Sequence, residues 1–365
     1  MFTESVCYGR RAKTAKIHVM PPLSIPGLEL PVIQAPMAGV QDSVLALAVS
    51  EAGGLGSLPA AMLAPDDLAR QLALLATGTA QPWNVNFFAH TPPQPDPARE
   101  AAWRARLAPY YREFGIDSAS IPAGPGRQPF DAQAAGLVER FQPTVVSFHF
   151  GLPAHDMLAR VKATGAFVIA SATTVAEARW LEHRGVDAVI AQGLEAGGHR
   201  GMFLTDDLTT QAGTFALLPQ IVAAVRCPVI AAGGIATAPG VAAARALGAA
   251  AVQVGTAYLN CREATTGALH RAALAGEAAR HTALTNLFSG RPARGIVNRV
   301  MREIGPLADA APAFPLATSS IAPLRAAAEK LGRSDFTPLW CGQNPVCPDE
   351  PAATITRRLA AGFAA

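Results

Sequence analysis

"PVIAAGGIATAPGVAAARALGAAAVQVGTAYL", residues 228–259, decides the fold. It opens on a short apolar run with no polar alternation, which suits a strand covered on both faces, as parallel sheets require. Gly233 and Gly234 stop that run. An alanine-rich segment of helical period follows and ends at Gly248, a good residue just past a helix C-terminus. A second apolar run then begins at Ala251. The stretch therefore predicts one β-α-β unit.

Six further runs of the same kind precede it: "PVIQAPM" (31–37), "GLGSLPA" (54–60), "WNVNFFA" (83–89), "TVVSFHFG" (144–151), "FVIASA" (167–172) and "DAVIAQG" (187–193). Most lead into segments rich in Ala, Leu and Arg, such as "TVAEARWLEHRG" (174–185). Eight such units predict an α/β chain folded as a (β/α)8 TIM barrel. A doubly wound open sheet would need a dinucleotide fingerprint. "GGLGSLP" (53–59) lacks the G-x-G-x-x-G spacing and the acidic residue that should follow it.

Two stretches break the repeat. Residues 91–140 are long for one crossover and carry the proline-rich loops "TPPQPDPARE" (91–100) and "ASIPAGPGRQP" (119–129). Residues 263–330 read as a smaller helical domain inserted after strand eight. The barrel is expected to span 1–262 and to be completed by 331–365, with "IAPLRAAAEKLG" (321–332) already returning to it.

Composition narrows the function. Half of the 365 residues are hydrophobic and the formal charge is only +3, so a large core is expected and nucleic acid is not. Arg10, Arg11, Lys13 and Lys16 precede no apolar h-region, which argues against a signal peptide. No apolar stretch reaches the roughly 18 residues of a membrane span. The five cysteines, Cys7, Cys227, Cys261, Cys341 and Cys347, are scattered without a C-x-x-C pair, consistent with a reducing cytoplasm. No H-E-x-x-H pattern suggests a metal.

Barrel chemistry collects at the C-terminal ends of the strands. Read in order, those ends supply Met37-Ala38, Asn86, His149, Ser171, Gln192 with Gly197-Gly198-His199, Gly233-Gly234, and Gln253-Val254-Gly255-Thr256. Acidic groups are nearly absent, which disfavours Mg²⁺ or paired-carboxylate hydrolysis. The glycine pairs let backbone N–H groups approach a phosphate. Asn86, Gln192 and Gln253 offer donor and acceptor pairs to a planar heterocycle. Phosphate cradle, amides and apolar walls together suit flavin mononucleotide (FMN).

"QAPMAGV" (34–40), "GGLGSLPA" (53–60), "WNVNFF" (83–88), "SFHFG" (147–151), "AQGLEAGGHRG" (191–201), "AAGGIA" (231–236), "VQVGTAYL" (252–259) and "FSGRPARGIVN" (288–298) resemble the successive motifs of the nitronate monooxygenases, formerly 2-nitropropane dioxygenases. The likeness resumes at "PLWCGQ" (338–343). It departs at Trp83-Asn84, where many relatives have Phe-Gly, and covers little of 1–20 or 91–140. The resemblance implies FMN on Met37, Ala38, Asn86, Gln192, Gly197, Gly198, Gly233, Gly234 and the segment Gln253, Val254, Gly255, Thr256. It makes His149 the catalytic residue. It further implies that an alkyl nitronate, or a nitroalkane, gives electrons to FMN and that O₂ completes conversion to a carbonyl compound and nitrite. His199 can orient the cofactor or stabilise its loop, and Trp340 can close over the flavin or anchor the tail. The alternative is the FMN-dependent enoyl-acyl-carrier-protein reductase, which shares the barrel and "EAGGH" but carries a glycine-rich segment in place of "SFHFG".

Overall fold

A computed structural model describes residues 21–121 and 127–364. Cys7 and the basic cluster at Arg10, Arg11, Lys13 and Lys16 lie outside the described residues.

Eight parallel strands form the barrel: β1 (Val32–Gln34), β2 (Gly56–Pro59), β3 (Trp83–Phe88), β4 (Val145–His149), β5 (Phe167–Ala172), β6 (Ala188–Gln192), β7 (Val229–Ala232) and β8 (Ala251–Val254). β1 pairs with β8, and a parallel bridge between Ile33 and Leu55 closes the ring from β1 to β2. Each of the eight apolar runs forms one of these strands. Helices cover the outside, and the last of them, Ala352–Ala364, packs against Ala238–Ala246 and Ser43–Glu51. Among the described residues no helix is long and apolar enough to cross a membrane.

The two-residue side-chain period of a strand sorts the barrel into an inside and an outside. Val32, Val85, Val146, Val168, Val189, Val229 and Val252 turn outward into one cluster beneath the helices. Ile33, Leu55, Val145, Ile169, Ile190, Ile230 and Ala251 turn inward and plug the barrel. Continuing that inward register toward the C-terminal ends brings in Asn86, His149, Ser171, Gln192 and Gln253. The interior is thus hydrocarbon below and amide, hydroxyl and imidazole above.

A second cluster sits apart from the barrel core. Trp103, Leu107 and Tyr111 from the helix Pro97–Glu113 meet Leu287, Val300, Met301, Ile321, Leu324 and Phe336. Tyr111 Oη donates to the Ser320 carbonyl at 2.6 Å. "IAPLRAAAEKLG" therefore does not return to the barrel. Its Ile321, Leu324 and Ala328 form the apolar stripe of the helix Ala317–Lys330, which packs on the crossover helix Pro97–Glu113. The insertion is also not all helix. Thr282–Thr285 and Ala293–Ile296 pair antiparallel, and Ala293 and Arg294 pair in turn with His199 and Gly198. That small sheet stitches the loop after β6 to the layer above the barrel.

Candidate active site

A cavity of about 570 Å³ opens at the C-terminal ends of the strands, within the size range of small-molecule sites. Asn86, His149, Ser171, Gln192 and Gln253 line it from the strands, and Met37, Ala38, Gly197, Gly198, His199, Gly233, Gly234, Gly255 and Thr256 line it from the loops. Val254 is the exception among the residues singled out above. Strand alternation turns its side chain outward into the helix-covered cluster, and its carbonyl accepts the Ala35 N–H at 2.8 Å.

β4 ends at His149 because the next two residues leave the extended region: Phe150 has φ 69° and Gly151 φ 91°. A left-handed phenylalanine is strained. It is held there by Phe88, 4.8 Å away, by Phe314 at 5.2 Å, and by the Arg291 guanidinium 4.3 Å above its ring. The turn leaves His149 facing the cavity. Its Nδ1 lies 3.0 Å from Ser171 Oγ and its Nε2 3.2 Å from the His199 carbonyl. Burial pushes its pKa down to about 4, against the opposing hydrogen bond to the His199 carbonyl, with the charges of Arg291 and Arg200 adding to the fall. The ring is therefore neutral near pH 7 and suited to accept a proton.

His199 lines the same cavity. Its Nε2 is 2.8 Å from Ser289 Oγ, and burial, then Arg127 and His149, hold its pKa well below 6.5. Its carbonyl also accepts from Gln192 Nε2 at 3.0 Å, while Gln192 Oε1 accepts the Gly201 N–H at 2.7 Å. Both ends of the Gln192 amide thus fix the 199–201 loop. Arg200, fully buried, ties that loop to the Gln192 and Gly193 carbonyls and to Gln211. Asn86 Nδ2 donates to Ser147 Oγ at 3.0 Å.

Other groups are left with capacity to spare. Gln253 Oε1 is buried without a hydrogen-bond partner. Among the described residues no carbonyl takes up the N–H groups of Gly234, Gly255 or Thr256. Gly197 has a different reason to be glycine: a Cβ there would fall 2.6 Å from the Gly342 nitrogen, where the tail crosses the loop. Trp340 lines the cavity, its ring 5.5 Å from that of His199, and its carbonyl accepts from His270 Nε2 at 3.1 Å. It both faces the site and anchors the tail.

Arg127, His270, Arg325 and Glu329 also line the cavity. They come from the proline-rich loop and the insertion, where no β-α period marks a strand end, so the register that finds His149 does not reach them.

A profile of the family described as "Nitronate monooxygenase" matches residues 23–358. A Paraburkholderia phytofirmans protein named nitronate monooxygenase is 41% identical over 358 residues, covering 95% of each chain. The solved nitroalkane oxidase of Streptomyces ansochromogenes superposes with a TM-score of 0.85 at 38% identity, over 93% of this chain and 96% of that one. FabK from Thermotoga maritima superposes with a TM-score of 0.69 at 27% identity, over 92% and 93%.

Proposed function

The chain belongs to the nitronate monooxygenase family, a family of flavoenzymes, and from that premise we propose that it uses FMN and O₂ to convert alkyl nitronates, and the nitroalkanes that ionise to them, into carbonyl compounds and nitrite. The observation that carries the reading is a neutral histidine, His149, in one cavity wall with unpartnered donors and acceptors suited to a flavin.

FMN fits the groups that are present. The orphaned Gln253 Oε1 wants a donor, such as an imide N–H. The unengaged N–H groups of Gly234, Gly255 and Thr256 suit a terminal phosphate, as barrel loops after strands seven and eight often do. Asn86, Met37, Ala38 and the glycine pair Gly197-Gly198 complete the surround. When bound, FMN supplies acceptance of electrons from the nitronate and their delivery to O₂.

The chain's own part is proton handling and positioning. A nitroalkane is a carbon acid, and His149 is the general base for its α-proton. The lone pair of Nδ1 points at Ser171 Oγ, so the proton travels by way of that hydroxyl: Ser171 passes its own hydrogen to Nδ1 as it takes the α-proton, and its oxygen then accepts from the new N–H. The resulting imidazolium then lies beside the nitronate oxygens and stabilises their negative charge. A nitronate added as such skips the first step. Phe88 and Trp340 line the cavity, and Phe150 and Phe314 pack against Phe88, so this side of the site is apolar.

Oxygen uptake by the purified flavoprotein on addition of propyl-2-nitronate tests the reading. Uptake with release of nitrite and acetone is expected. A flavin-loaded protein that consumes no O₂ with any alkyl nitronate overturns it.

A further inference from the structure

Glu177 and Arg200 are both fully buried, and neither lines the cavity. Two neutral side chains join them. Arg200 Nε and Nη2 donate to Gln211 Oε1 at 3.1 and 2.9 Å, and Gln211 Nε2 donates to Thr173 Oγ1 at 3.0 Å. Thr173 Oγ1 in turn donates to Glu177 Oε2 at 2.7 Å. Every hydrogen in this chain points from the guanidinium toward the carboxylate. Burial, then the charge of Arg294, lowers the Arg200 pKa to about 10, while Glu177 and Glu195 oppose the fall. The guanidinium therefore keeps its charge near pH 7.

A helix cap explains only half of Glu177. It stands in the first turn of the helix Val175–His183, and Oε2 reaches back to the Thr173 N–H at 2.7 Å, as the glutamate of a capping box does. Oε1 turns the other way and accepts the Phe203 and Leu204 N–H groups at 2.6 and 3.2 Å. Arg200 grips the opposite end of that loop, donating to the Gly193 and Gln192 carbonyls at 2.6 and 2.7 Å. Between the two grips lies Gly201, so close to His149 that a Cβ would fall 2.8 Å from Cε1. Just before Arg200 is the His199 carbonyl that meets His149 Nε2. Separated charges in a protein interior are a poor source of stability, because apolar side chains of similar size often hold a fold as well. What this pair supplies is a fixed place for the loop.

We propose that Glu177 and Arg200 are positioning residues for His149: a buried charge pair, joined through Thr173 and Gln211, that holds the 199–204 loop where the His199 carbonyl fixes the imidazole tautomer. The proposal rests on the reading of His149 as a base for its effect on turnover, and on the hydrogen bonds alone for its effect on the ring. Without the two grips the His199 carbonyl can drift from Nε2, and the ring hydrogen is then free to move to Nδ1. That would occupy the lone pair that the α-proton needs.

The test uses the flavin-loaded protein with ¹⁵N-labelled histidine, the His149 signals being those that vanish in His149→Asn. Wild type should show one tautomer, with the hydrogen on Nε2 and none on Nδ1. Glu177→Met and Arg200→Met each strand a buried charge, so each should lower Tm. The double variant strands none, and its Tm should return toward wild type. Its His149 should nevertheless exchange between tautomers. In turnover the double variant should lose about 10²-fold in kcat/KM for a nitroalkane, the scale of a misplacement of roughly 1 Å, and less than about 5-fold for the preformed nitronate of the same compound. A double variant with the wild-type ring signature, equal losses on both substrates, or a double variant that does not fold would each overturn the proposal and leave the pair to the fold. If the ring changes as expected and wild type oxidises neither compound, the nitronate reading fails and the positioning role stands.

Discussion

The Nε2 of His149 lies 3.2 Å from the carbonyl oxygen of His199. A carbonyl only accepts, so Nε2 carries the ring hydrogen and the lone pair sits on Nδ1, toward Ser171 Oγ at 3.0 Å. Main chain of the loop after β6 thus sets the tautomer of a side chain on β4. That loop is itself held by Gln192, Arg200 and the small sheet.

Replacing His149 by Asn should separate its two roles. Turnover of neutral nitroalkanes should fall by about 10² to 10⁴, the range for a lost general base. Preformed nitronates need no proton removed and should lose less. Steady-state kinetics on both forms of one compound make the comparison, and equal losses would mean that the ring positions or charges the site instead.

The pH profile should follow the depressed pKa. A base works above its pKa, so kcat/KM for a nitroalkane should hold steady through pH 6.5 and decline only toward about 4. A break near 6.5 would contradict a buried, neutral ring. Stability carries the same sign. Below pH about 6.5 the unfolded chain binds a proton that the fold refuses until about 4, so this histidine's contribution is lost as pH falls across that window.

Gly201→Ala should damage activity through His149. A Cβ at Gly201 would fall 2.8 Å from His149 Cε1 and 3.0 Å from Ser171 Cβ, so the ring or the loop has to shift. A 1 Å misplacement can cost on the order of 10²-fold. Activity should drop by that order while FMN content stays near wild type. Full activity would show that the loop yields freely.

The barrel and its floor were legible in the sequence because both follow from one periodicity. Runs such as "DAVIAQG" (187–193) announce strands buried on both faces, and counting by two from Ile190 to Gln192 leads into the cavity. The same count turns Val254 away, which naming a whole segment of chain obscured. Arg127 and Arg325 could not be read that way. Arg127 sits on the proline-rich loop and Arg325 on the helix Ala317–Lys330, whose apolar stripe packs on the helix Pro97–Glu113, and a helix stripe that meets another helix looks the same in sequence as one that meets a barrel.

The cofactor released on denaturation should be FMN and not FAD. The unengaged N–H groups at Gly234, Gly255 and Thr256 suit one terminal phosphate, and the sequence has no G-x-G-x-x-G pattern to hold an adenylate half. Mass analysis of the supernatant decides it. FAD there, or no flavin after reconstitution, would sink the fit of FMN to the barrel mouth.

The source of electrons separates nitronate oxidation from nicotinamide-driven reduction on the same barrel. In an anaerobic stopped-flow experiment, the flavin-loaded protein is mixed in turn with an alkyl nitronate, NADH and NADPH while the visible absorbance is followed. The nitronate should bleach the flavin rapidly, and neither nicotinamide should do so faster than a protein-free control. Rapid bleaching by a nicotinamide, with no response to nitronate, would contradict the assignment and favour an enoyl reductase.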